Sequence, residues 1–241
     1  MTLPDLALQI VYARVGWALV FATLLLALWR GPVNLTRPAL VALLAVMLVL
    51  MALPGELSPA YWLGLAFQYP SGLLVGCCAL RLVERWHGIR RSRAMPHTLA
   101  GVLVVCGALL YLDTFGLLAR GFYYAGFWPV LTPIMATLGA LACALAIVRG
   151  EARSPAAAML GAIALFSLLR LPTGNLWDAM LDPLLCGWAV VTLLASVLRK
   201  SGRRASDHAS DRILNAPESQ AVSLAPGLQP APIEQFSSVK E

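Results

Sequence analysis

The chain has 241 residues, of which 59% are hydrophobic and 12% charged, with a formal net charge of +6. A soluble domain is about half apolar and a quarter charged, so this chain cannot cover its surface with polar groups, and its solvent must be largely lipid. The basic excess does not point to nucleic acid, because the arginines sit between apolar runs, where they orient a membrane protein, and no basic motif of a nucleic-acid-binding fold accompanies them.

A membrane-spanning helix needs about 20 mostly apolar residues. Seven runs meet or approach that length: 8–29, 38–54, 60–82, 97–119, 128–148, 154–171 and 177–198. The first does not read as a cleaved leader. The chain's first nine residues carry only Asp5 as charge, with no positive region, and the run ends in Leu28-Trp29-Arg30-Gly31-Pro32 without a small-residue cleavage site. The second begins with Pro38, tolerated in a first helical turn, and stops at the turn signal Pro54-Gly55. The third is interrupted by Gln68-Tyr69-Pro70-Ser71-Gly72, which predicts a kink with a polar pair beside it.

The fourth run carries Tyr111 and Asp113 near its end, and an aromatic stretch from Phe122 to Trp128 precedes the fifth. The sixth opens at Pro155 and ends at Arg170, followed by Pro172-Thr173-Gly174. Asn175 then suits an N-cap, Asp178 sits where a carboxylate favours a helix N-terminus, and Asp182 falls one turn deeper on the same face. Residues 201–241 are rich in Ser, Ala, Pro and Gln without hydrophobic periodicity, a composition expected to stay disordered. The expected organisation is therefore a helix bundle over 1–200 and a tail over 201–241.

Charge sets the expected orientation. Successive loops carry Arg30 and Arg37; none; Arg81, Arg85, Arg90, Arg91 and Arg93; Arg120; Arg149 and Arg153; Arg170; and, after the last run, Arg199, Lys200, Arg203 and Arg204. Short cytoplasmic loops collect Lys and Arg, so this alternation predicts an all-α polytopic bundle of about seven transmembrane helices. Its N-terminus lies outside and its C-terminus in the cytoplasm. Arginine outnumbers lysine 16 to 2, and Ala and Leu dominate, a bias that fits a bacterial protein and hence the bacterial cytoplasmic membrane.

Polar groups inside a membrane are costly and are therefore functional candidates. Under this topology Arg14, Gln68, Tyr69, Asp113, Arg170, Asn175, Asp178 and Asp182 all fall in the outer half of the bilayer. They are the candidates for substrate contact or for a proton or ion pathway. Asp182 is expected to pair with Arg170 or Arg14, and Asp113 with Arg120 or Arg170.

Much chemistry is disfavoured by absence. No metal site and no cofactor are expected: His87 and His208 lie outside the apolar runs and His97 stands at the cytoplasmic start of the fourth, the five cysteines lie inside them without CxxC spacing, and the two lysines are Lys200 and Lys240. No P-loop, HExxH or GxSxG occurs. The leading expectation is a small permease or an accessory subunit of an envelope or export system, with the lipid bilayer and other membrane proteins as partners. Two alternatives stand beside it. One is a scaffold packing through small-residue faces such as Gly101 with Gly107 or Gly139 with Cys143. The other is an outer-face enzyme on a lipid-linked or envelope substrate, using Asp113 or Asp182 as acid or base and Arg14 or Arg170 as anion clamp.

Overall fold

A computed structural model of the chain describes residues 4–28, 36–88, 95–118, 120–150 and 152–214, of which 201–214 as backbone only. The chain divides into two compact units, Met1–Ala195 and Ser196–Glu241. Among the described residues the architecture is all-helical, without strands. The α-helices are α1 (Leu6–Leu28), α2 (Arg37–Ala52), α3 (Pro59–Phe67), α4 (Gly72–Trp86), α5 (His97–Thr114), α6 (Leu131–Arg149), α7 (Arg153–Leu169), α8 (Leu176–Met180) and α9 (Pro183–Leu214), with short 3-10 turns at Gly55–Leu57 and Tyr124–Phe127.

Among the described residues four stretches are long and apolar enough to cross a membrane: Leu6–Leu28, His97–Thr114, Leu131–Arg149 and Pro183–Lys200. At about 1.5 Å per residue α1 extends roughly 34 Å, enough for a hydrocarbon core of about 30 Å. α2 and α7 are apolar but shorter. Large apolar side chains stand open on these helices, Val148 and Leu168 at 81% exposure among them, as a lipid-facing surface requires.

Two of the expected runs are broken into separate helices. Run 60–82 becomes α3 and α4. Pro70 lacks an N–H and disfavours helical geometry at the residue before it; Gln68 leaves α3 at φ 59, and Ser71 starts α4 by accepting the Leu74 N–H at 3.1 Å. A full break stands where a kink was expected. Run 177–198 becomes α8 and α9. Asp182 is therefore not one turn inside a helix; it is the residue before Pro183, and its carboxylate accepts the Leu185 N–H at 2.6 Å as the cap of α9. Pro183 sits in the first turn, where its missing N–H costs nothing. Helical backbone continues to Leu214, past the boundary expected at 200, because helix formers such as Arg203, Ala205 and Arg212 extend a helix already nucleated. The rest of the expected tail, 215–241, lies outside the described residues.

Within the first unit the core lies where α1, α4, α7 and the start of α9 meet. Trp17, Leu73, Cys77, Ala158, Ala162, Leu185 and Ala189 are buried together there. Small residues set the spacing. A Cβ on Gly72 would lie 3.1 Å from Ala162, and one on Gly76 would lie 3.1 Å from the Ala158 carbonyl oxygen, so α4 and α7 meet backbone to backbone, as helices in lipid do.

Contact pairs also give direction. Tyr12 bonds the Pro70 carbonyl, Thr23 the Cys78 carbonyl, and Leu26 packs with Leu82, so α1 and α4 run parallel. Gly72 facing Ala162 and Gly76 facing Ala158 make α4 and α7 antiparallel. Gly139 against Ile163 and Ala136 beside Phe166 do the same for α6 and α7.

Candidate functional site

The sequence candidates gather at one end of the first unit, but in two groups with different chemistry. The first is a clasp. Asp113, at the end of α5, folds the following loop back on itself: Oδ1 accepts the N–H groups of Arg120 (2.7 Å) and Gly121 (3.0 Å), and Oδ2 accepts that of Tyr123 (3.1 Å). Tyr123 then reaches across and donates its hydroxyl to Asp178 of α8 at 3.1 Å. Burial, followed by the Asp178 charge, pushes this phenol up to about 12, so it remains a donor near neutral pH.

Asp178 also accepts the Thr173 hydroxyl at 2.5 Å. Asn175, fully buried, caps α8 by accepting the Trp177 N–H at 3.0 Å and donates to the Tyr123 carbonyl at 3.2 Å. The Trp177 indole closes the clasp on the Phe122 carbonyl at 3.0 Å. Gly126 lies against the Asn175 amide so closely that no Cβ fits there.

Asp182 ties the clasp side to the core. Besides capping α9 it accepts the Ser71 N–H at 2.7 Å, while the Ser71 hydroxyl caps α4. One buried carboxylate thus receives the N-terminal ends of two helices, α4 and α9, where partial positive charge collects. The expected ion pairs do not form. Among the described residues no salt bridge joins Asp182 to Arg170 or Arg14, and Asp113 takes the backbone N–H of Arg120 rather than its guanidinium. Arg170 turns out of α7 at φ 56 and lays its guanidinium 5.2 Å from the centre of the Phe166 ring. Backbone amides win because they are already in place, whereas an arginine must order a long side chain to compete.

The second group lines a cavity of about 460 Å³ between α1, the 53–58 turn and α3. Arg14, Gln68 and Tyr69 border it, together with apolar side chains such as Ile10, Leu53 and Leu65. Arg14 is half-buried, and among the described residues its guanidinium has no hydrogen-bond or ion-pair partner. Ser58 also borders the cavity, but its hydroxyl is occupied, donating to the Met51 carbonyl at 2.9 Å. Among the described residues no carboxylate lines the space.

Gln68 is held at φ 59, ψ −104, a conformation costly for any residue but glycine. The next three residues are fixed from the other side. Tyr12 donates to the Pro70 carbonyl at 2.8 Å, and Asp182 holds Ser71. Gln9, one turn before Ala13, donates to the Pro172 carbonyl at 2.8 Å, so α1 braces both the α3–α4 break and the turn between α7 and α8.

Sequence reading missed these braces, because Gln9 and Tyr12 lie on an apolar helix whose partners are backbone carbonyls with no sequence signature. Among the described residues no group of three or more His, Cys, Asp or Glu is placed to hold a metal ion. The chain matches no family model, no curated protein and no solved structure.

Proposed function

We propose that this is a multi-pass protein of a bacterial cytoplasmic membrane, crossing it seven times with the N-terminus outside and the C-terminal tail in the cytoplasm. It works as a small permease, or as an accessory subunit of an envelope or export system, and meets its substrate at the cavity bordered by Arg14, Gln68 and Tyr69. The helix directions support the topology: α1 and α4 run parallel, with α7 antiparallel to α4 and α6 to α7. The two ends differ as that topology requires. Arg37 bonds the Trp86 carbonyl and Ser154 bonds Glu84 at one end, among the arginines expected inside; the clasp and the cavity lie at the other.

The observation that carries the functional reading is the break between α3 and α4. Irregular backbone at membrane depth is tolerated where it is buried in protein or lines a cavity, and discontinuous helices of this kind form the substrate sites of many transporters. Here Pro70 and Ser71 are buried while Gln68 and Tyr69 border the cavity. The scaffold alternative draws less support, because Gly107 and Gly139 pack inside the molecule, against Cys186 and Ile163. So does the enzyme alternative, since Asp113, Asp178 and Asp182 are each held by two or more hydrogen bonds and no acid among the described residues borders the cavity.

A cysteine probe tests the reading. A Cβ on Gly64 meets nothing within 4 Å, so Gly64→Cys in a background without the native cysteines places a thiol in the cavity. A membrane-impermeant maleimide should label it in intact cells from the outer side. Labelling only after the cytoplasmic face is opened would overturn both the topology and the outward-facing cavity.

A further inference from the structure

The chemistry of the cavity wall specifies its occupant more narrowly than the fold does. One guanidinium supplies the charge, no carboxylate among the described residues opposes it, and Ile10, Ala13, Leu53 and Leu65 are among the apolar residues of the wall. A half-buried arginine without an internal partner lies in a poor solvent for charge. It is best satisfied by a planar or tetrahedral oxyanion able to accept two N–H groups at once. Gln68 and Tyr69 add neutral polar groups that have no side-chain partner among the described residues. About 460 Å³ admits a headgroup and the first carbons of a chain.

We infer that the cavity binds an anionic amphiphile, with its phosphate or carboxylate headgroup on Arg14 and its alkyl chain along Ile10, Leu53 and Leu65. The strained backbone at Gln68 keeps the amide at the rim, where a headgroup oxygen meets it. A free small anion would use Arg14 but leave the apolar wall wet. A neutral amphiphile would use the wall but leave the guanidinium unpaired. Only the combination satisfies both parts of the site.

This inference rests on the cavity being the chain's substrate contact, and the two are separable by experiment. The full chain, purified in a neutral maltoside detergent, is titrated with dodecyl phosphate, with inorganic phosphate and with dodecanol, and thermal unfolding is followed. Dodecyl phosphate should raise the unfolding temperature in a saturable way, while the other two leave it unchanged. Arg14→Gln should weaken the apparent affinity about tenfold or more, as expected for loss of a charge-assisted bidentate contact.

Gly64→Leu, which fills open space and leaves Arg14 in place, should abolish the shift independently. An equal shift from inorganic phosphate would overturn the amphiphile in favour of a small-anion site. No shift from dodecyl phosphate, or a shift that survives both substitutions, would overturn binding here altogether. A shift lost in both variants, combined with Gly64→Cys that labels only from the cytoplasm, would retain the ligand and remove the outer-face reading.

Discussion

The clasp and the cavity both hold polar residues at the same end of the first unit, yet they use them in opposite ways. In the clasp every carboxylate is spent on the protein's own backbone and hydroxyls: Asp113 on three amides, Asp178 on Thr173 and Tyr123, Asp182 on two helix starts. At the cavity Arg14 has no hydrogen-bond or ion-pair partner among the described residues, and Gln68 holds a costly conformation without a hydrogen bond from its side chain to any described residue. Polar side chains in lipid therefore divide by what answers them. Those met by the chain itself hold the fold together, and at the rim of an open cavity those left unmet are the groups a bound molecule would satisfy under the proposed function.

The contrast can be broken most forcefully at Asp182. Asp182→Ala removes two charge-assisted bonds and leaves the Ser71 N–H buried without an acceptor, which should cost about 3 kcal/mol in denaturant unfolding from mixed micelles. Asp182→Asn keeps one acceptor oxygen and should lose less. Wild-type stability in both variants would mean that α4 and α9 do not depend on a shared cap.

Next comes Gly126→Ala. The new methyl would overlap the Asn175 amide and lie 2.6 Å from Trp177 Cδ1, so the loop must withdraw, at about 2 kcal/mol. Trp177 fluorescence should shift red as its indole leaves the Phe122 carbonyl. Gly161→Ala, where a Cβ meets nothing, serves as the matched control and should be silent.

Much of the helical plan could be read in advance because apolar run length and basic flanks are properties of local sequence. The helices observed over Leu6–Leu28, Arg37–Ala52, His97–Thr114, Leu131–Arg149 and Arg153–Leu169 fall on the expected runs to within a few residues at most ends. Asn175 as a cap could be read from its place before an apolar segment. The partners of Asp182 and Asp113 were not legible. A carboxylate's nearest opposite charge is visible in sequence, but a competing backbone amide is not, since every residue has one. Ser71 and Asp182 are 111 positions apart, and only the crossing of two breaks brings them together. For the same reason Arg14 looked like one member of an ion pair, when what distinguishes it is the lack of a partner among the described residues.

Gln68 sharpens the comparison from the cavity side. Replacing it with glycine removes the Cβ that makes φ 59, ψ −104 unfavourable, and should stabilise the protein by about 1 kcal/mol. The same change deletes the amide at the rim, so dodecyl phosphate should bind more weakly to the more stable protein. A variant both less stable and unchanged in binding would show that Gln68 holds the break together and does not serve the cavity.

The smallest expected effect on stability is also the most discriminating. Arg14→Gln should change unfolding free energy by no more than about 0.5 kcal/mol in the absence of ligand, the range of a substitution that breaks no named interaction. Removing one member of a buried ion pair strands the other and costs several kcal/mol, but no described residue gives Arg14 such a partner. Its loss should even relieve the cost of holding a half-buried guanidinium beside a largely apolar cavity. A ligand-free loss of 2 kcal/mol or more would show that the guanidinium holds the fold as Asp182 does, and the division between a clasp that stabilises and a cavity that binds would fall. Near-neutral stability together with tenfold weaker binding is the one result that places Arg14 wholly on the binding side of that division.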